Sequence, residues 1–320
     1  MNTKILKETK DRTLKEEQRY QDDKSQLCHQ TLKTSQYEQH KDINPPRVPG
    51  TCQWVLTHQQ YLQWYESAGD DLLWISADPG CGKSVLAKSL VDNELQNTDD
   101  HTVCYFFFKD NDEQDNLATA LCAILHQLFS SKRSLIRYAI PAWEKNAGEL
   151  RKEVPELWRI LIDAGTALET HHVTCVLDAL DECRLTDRRW LIDLLSSFYV
   201  QISRSQLMTR RGRSKFLVTS RPYDDIQIEF QRTLDNLPTI RLRGEEENDQ
   251  IRREIDLVIR MQVEKLTTDL ILDSQTKNQM EDKLLKMEHR TYLWLYLAIE
   301  GIYETYRKSL RPRQASIKLL

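Results

Sequence analysis

The two residues that punctuate a chain are scarce here: nine Gly and nine Pro among 320 positions. That scarcity excludes collagenous and Gly/Pro-rich low-complexity chains, and it makes each cluster of these residues informative. No apolar run approaches the roughly 18 residues that a membrane helix needs, which excludes an integral helical membrane protein. Charge of one sign is lacking too. With 45 Lys and Arg against 49 Asp and Glu, the net charge of −4 predicts no general attraction to nucleic acid. The start, MNTKILKETKDR, has no apolar core for a signal peptide, and Asn2 stands where myristoylation requires glycine, so a cytoplasmic location is the default expectation. The seven cysteines include no CxxC pair and predict reduced thiols. What remains is 40% hydrophobic and 29% charged residues in a chain long enough for a core without staples.

Residues 1–44 contain no Gly or Pro. Leu6, Tyr20 and Leu27 fall at heptad spacing, but Thr13 and Thr34 interrupt the series, which predicts a solvated helix packing weakly on the rest of the chain. Pro45, Pro46, Pro49 and Gly50 then mark a boundary, so residues 1–50 read as a polar helical segment and linker. Beyond it, Trp54, Val55, Leu62 and Trp64 pattern short amphipathic helices. Leu72–Ile75, Val103–Phe108, Val173–Asp178 and Lys215–Thr219 read as buried strands, with Thr239–Leu242 a weaker fifth. Helical patterns separate them; Thr186 is the expected cap of one, whose face is Leu191, Leu194, Leu195 and Phe198. Strands alternating with helices predict an α/β domain over residues 51–244 with a parallel sheet covered on both faces. From 245 to 320 everything reads helical, with Ile251, Ile255, Val258 and Ile259 on one face and Tyr292, Leu295, Tyr296 and Ile299 on another. This segment is expected to be an incomplete helical domain.

The chemistry concentrates in three places. Ala77-Asp78-Pro79-Gly80-Cys81-Gly82-Lys83-Ser84, followed by Val85, fits a phosphate-binding loop with Ala in its first position. Gly80 and Gly82 let the backbone wrap a phosphate, Lys83 reaches the β and γ phosphates, and the Ser84 hydroxyl helps hold Mg²⁺. Such an octapeptide arises by chance in roughly a few per cent of chains this long. Its place after a buried strand and before an amphipathic helix is what gives it weight. Asp178 ends the third strand, where a metal-binding acid belongs, and Asp181 and Glu182 follow as candidates to polarise an attacking water. Thr219-Ser220-Arg221-Pro222 ends the fourth strand; Pro222 holds Arg221 extended, suited to contact a γ-phosphate, with pairing to Asp224 or Asp225 as the plainer alternative.

Together the ADPGCGKS, LDALDEC and FLVTSRP segments resemble the NACHT class of signal-transducing P-loop NTPases, closest to the fungal proteins of NOD-like receptor type. NPPRVPGTCQWVL, IRLRGEEENDQIRREIDLVI and EHRTYLWLYLAIEGI extend the likeness over roughly residues 30–320. The resemblance implies a parallel five-stranded sheet of order 5-1-4-3-2 followed by a small all-α domain. It implies a switch that rests with ADP or GDP and oligomerises, with itself or with other signalling chains, when ATP or GTP and Mg²⁺ are bound. It makes Lys83 and Ser84 the phosphate and metal contacts, Asp178 the metal acid, Asp181 and Glu182 the hydrolytic acids, and Arg221 the phosphate sensor. It also implies winged-helix and repeat domains beyond Leu320, so the chain is expected to be a fragment or a short paralogue. Two alternatives stay open: a regulatory scaffold that binds nucleotide without turnover, and a P-loop phosphotransferase.

Other features are read as structural. Cys81 is expected to be a small residue facing phosphate rather than a redox gate. His171, His172, Cys175 and Cys183 have no zinc spacing. Arg204, Arg210, Arg211, Arg213 and Lys215 read as a solvated basic loop, and the tryptophans with Tyr292 and Tyr296 as core.

Overall fold

The computed structural model describes residues 18–167, 170–204, 212–233, 237–242, 249–288 and 291–308. The apolar runs become β1 (Asp71–Ala77), β2 (His101–Phe107), β3 (His172–Asp178), β4 (Arg213–Ser220) and β5 (Thr239–Leu242). They form one sheet of order β2-β3-β4-β1-β5, parallel throughout, the order the resemblance implied. A strand's side chains alternate, so each run feeds two cores. Leu72 and Trp74 enter one, while Leu73, Ile75 and Ala77 enter the other. That double burial is why these strands carry almost no polar alternation.

Residues 18–31 form α1, followed by α2 (Tyr37–Asp42), α3 (Gln53–Thr57), α4 (Gln59–Glu66) and α5 (Lys83–Ser89). Then come α6 (Leu117–Ser131), α7 (Ile140–Asn146), α8 (Val154–Gly165), α9 (Leu185–Arg204) and α10 (Asp224–Thr233). The last helices are α11 (Asp249–Leu270), α12 (Ser274–Lys286) and α13 (Tyr292–Lys308). One face of the sheet carries α6 to α10, with α6 opened by the Asn116 side chain accepting the Thr119 N–H at 2.8 Å. The other face carries α3 to α5. There Ile251, Ile255, Leu266, Leu295 and Ile299 join the cluster that holds Ile75 and Leu86, so α11 and α13 extend this core instead of building their own.

Several expectations need correction. The described part of the N-terminal segment does not pack weakly: Cys28 and Leu32 are wholly buried, and the His29 ring stacks on His126 with centroids 4.1 Å apart. Tyr20 and Leu27 are exposed, so the heptad positions are not what docks it. Thr186 does not cap α9, which already begins at Leu185; the neighbouring Asp187 instead accepts the Leu117 N–H at 2.9 Å and ties α9 to α6. The helix after the phosphate loop stops at Ser89 and passes into a single wider turn, with the Leu95 N–H on the Leu90 carbonyl. Lys215 is no part of a solvated loop: it is buried on β4, its ammonium capping α4 through the Trp64 and Tyr65 carbonyls at 2.7 Å each. Arg210 and Arg211 lie outside the described residues. Trp190 and Tyr296 are exposed, against the expectation of core.

Candidate phosphate-binding site

In a parallel sheet, ligands bind outside the carboxyl ends of the strands. The loops after β1, β3 and β4 meet there. Between β1 and α5 the chain turns through Gly80 at φ 76° and Gly82 at φ 79°, left-handed conformations that glycine adopts without strain. The loop is braced from inside: the Cys81 N–H donates to the Asp78 carbonyl at 3.3 Å, and the Lys83 ammonium donates to the Ala77 and Asp78 carbonyls at 2.6 and 3.1 Å. Burial lowers the Lys83 pKa, against the opposing pull of Asp181. Asp78 and Pro79 open the loop, and Val85 faces a cleft beside it.

The Cys81 side chain is buried among Ile75, Leu86 and Ile251, and burial raises its pKa, which disfavours the thiolate a redox role needs.

Asp178 is almost wholly buried at the end of β3. Its carboxylate accepts the Thr219 hydroxyl at 2.6 Å, and the Ser84 side chain lies near enough to act on its pKa. Burial pushes its pKa up to about 6, while Ser84, the Thr219 hydroxyl and the Lys83 charge pull the other way. Ala179 then takes a left-handed turn, φ 57°, its N–H donating to the Thr219 hydroxyl at 3.0 Å. For a residue with a Cβ that conformation is strained, and it swings Asp181 back toward β4. Asp181 accepts the Arg221 backbone N–H at 2.8 Å and faces the Arg221 guanidinium at 3.2 Å. Glu182 lies 3.6 Å from the same guanidinium and 3.2 Å from Lys109. Arg221 thus pairs with the two candidate hydrolytic acids, while Asp225 is taken by Arg188.

The structure therefore brings Lys83, Ser84, Asp178, Asp181, Glu182 and Arg221 to one edge. Sequence reasoning missed Thr219 as a partner of Asp178; a hydroxyl inside an apolar strand was the available signal. It also missed the wall formed by α13. A Cβ on Gly80 would lie 2.9 Å from the Thr291 hydroxyl, and one on Gly82 3.2 Å from the Tyr292 ring. Beside the loop opens a cleft of about 970 Å³, bounded by Pro45, Pro46, Val48, Val85, Val258 and Tyr292. Its volume lies in the range of small-molecule sites.

Fold and strand-end chemistry define a P-loop NTPase module. Residues 50–221 match the family described as "Nephrocystin 3, N-terminal", and the chain belongs to that family. Residues 251–320 match a second family, a domain of unknown function (DUF7069). The chain is 26% identical over 254 residues to the vegetative incompatibility protein HET-E-1 of Podospora anserina, covering 78% of this chain and 18% of that protein. It thus spans less than a fifth of that relative, and the NACHT-type likeness read from the motifs agrees with both matches. Among solved structures, the Aeropyrum pernix ORC2 protein in its ADPNP–ADP complexes superimposes with a TM-score of 0.51. At 14% identity, over 86% of this chain and 68% of that one, it shows a shared fold. No helix among the described residues is long and apolar enough to cross a membrane.

Proposed function

We propose that the chain is a nucleotide-controlled signalling switch of NACHT type, binding ATP or GTP with Mg²⁺ and resting with the diphosphate. The observation that carries this is the cluster at the sheet's edge: a glycine loop with its lysine beside it, and Ser84 close to a buried aspartate held by Thr219. Ser84 and Asp178 are hard oxygen donors close to one another, which fits Mg²⁺. When bound, the metal would neutralise phosphate charge. Backbone N–H groups of residues 80–84 receive the phosphates and Lys83 turns from its carbonyls to them. The base and sugar enter the cleft by Val85 and Tyr292. Residues 51–244 form the nucleotide-binding unit in this reading, and α11 to α13 close it. Kinship with an incompatibility protein favours a part in recognition signalling, with homo-oligomers or other signalling chains as partners.

Slow hydrolysis would use Asp181 or Glu182 to orient water and Arg221 to stabilise transferred charge. The pairing of Arg221 with both acids favours a second reading, binding without turnover, since the three groups neutralise one another. Asp181→Asn separates the two: a measurable turnover number should fall at least about a hundredfold if Asp181 acts as base, and stay at background otherwise.

The decisive experiment denatures the purified chain and chromatographs whatever nucleotide is released, beside Lys83→Ala. Stoichiometric ADP or GDP, absent from the variant, is the expected result and names the base. A folded chain that carries none, and whose melting point ignores Mg²⁺-nucleotide, rules the switch out.

A further inference from the structure

Glu254, on α11, is a buried carboxylate that the nucleotide reading leaves without a role. The Tyr292 hydroxyl donates to its Oε2 at 3.1 Å, and the backbone of Cys52 and Gln53 lies near enough to act on its pKa. Burial raises its pKa, against the pull of all three. One side chain therefore joins the turn entering α3, the middle of the sheet-covering helix α11 and the first residue of α13.

Tyr292 carries that connection to the phosphate loop. Its backbone N–H donates to the Gly80 carbonyl at 2.9 Å, and its ring lies against Gly82. Thr291, just before it, accepts the Trp294 N–H at 3.1 Å, so the start of α13 is itself capped and fixed. The loop's two glycines are thus held on their outer side by a residue about 210 positions away in sequence. A ring alone would supply the packing. A hydroxyl aimed at a buried carboxylate does more, because removing it leaves that carboxylate short of a partner. The same ring borders the cleft beside Val85.

We propose that Tyr292, oriented by Glu254, is a positioning residue for the phosphate loop. It holds the Gly80–Gly82 backbone in the form that receives phosphate, and through the same contact it couples nucleotide occupancy to the seating of α11 and α13. The inference rests on the nucleotide-binding reading above. Coupling is reciprocal by linkage: whatever the seating of α13 contributes to nucleotide affinity, nucleotide returns to the seating of α13.

The test uses the full chain, its Tyr292→Phe variant and fluorescent analogues of ADP and GDP with Mg²⁺. The dissociation constant should rise about tenfold in Tyr292→Phe, the loss expected for one buried hydrogen bond to a charged group. The melting-point rise on adding nucleotide should shrink, over and above any fall in the nucleotide-free melting point. In the wild type, nucleotide should slow hydrogen exchange at the Tyr292 amide; in the variant it should slow it less. Tyr292→Leu, which removes the ring as well, should lose more affinity than Tyr292→Phe. A lower nucleotide-free melting point with unchanged affinity and an unchanged nucleotide-induced rise would mean a merely structural bond and overturns the proposal. A wild-type chain that binds neither analogue overturns both this inference and the reading beneath it, before any variant is compared.

Discussion

Thr219 serves two strand ends with one hydroxyl, donating to Asp178 and accepting from Ala179. Thr219→Val keeps the shape and strands both partners, so it should cost about 1–3 kcal/mol in urea unfolding. The same substitution should weaken Mg²⁺-dependent nucleotide binding, since the Asp178 rotamer is no longer held; Thr219→Ser should restore it. Asp178 also has a pH signature. Its folded-state pKa of about 6 lies above the ordinary 3.8, so the folded chain binds more protons between those values. Stability from this group accordingly falls as pH rises through that window and is level above it. The measurement is the difference in urea midpoint between wild type and Asp178→Asn across the window: a difference that does not change with pH would refute the buried-acid account.

His126 shows the opposite sign at the scale of an element. Packed under His29 and bonded to the Tyr37 hydroxyl, it is held neutral by burial, with a pKa lowered from 6.5 to about 4. Lys33 and the His29 charge push the same way, and Glu38 opposes them. The unfolded chain binds the extra proton first, so stability is lost as pH falls from 6.5 toward about 4. The expected consequence is that α1 and α2 loosen from α6 in acid, seen as faster hydrogen exchange in residues 28–40, with His126→Gln removing the dependence. Because Asp178 and His126 oppose each other, each is read against its own variant. Packing on this same face of the sheet is tested more bluntly. Phe216 sits between Trp158 and Phe198, ring centroids 5.5 and 5.1 Å away, and Phe216→Ala should cost about 3–5 kcal/mol.

At the scale of the molecule, α11 and α13 share a core with β1 and α5, so a chain ending at residue 244 should not stay soluble and monomeric. It would expose Leu86, Leu90 and Ile75 to water. A monodisperse, cooperatively melting truncation would show instead that the nucleotide-binding unit stands alone. Nucleotide at about a hundred times its dissociation constant should add about 2.7 kcal/mol, or roughly 5–10 °C in melting temperature.

The parallel sheet, the glycine loop and the acids at its edge could be read from the chain because each is a local pattern. A strand buried on both faces must be continuously apolar, a loop around phosphate must have glycines where φ turns positive, and both requirements are written within a few adjacent residues. Long-range placement left no such mark. That Arg221 meets Asp181 and not Asp225 depends on the left-handed turn at Ala179, where a residue with a Cβ is an unlikely reading. Nothing in the spacing of the charged N-terminal helix marks Cys28 and Leu32 for burial; they are buried in the core that α6 helps build, where the neighbouring His29 stacks on His126. Tyr292 and Tyr296 share one helical pattern, yet one braces the phosphate loop and the other is 65% exposed. Periodicity specifies that a helix has an apolar side, whereas what that side meets is settled only when distant segments close on one another.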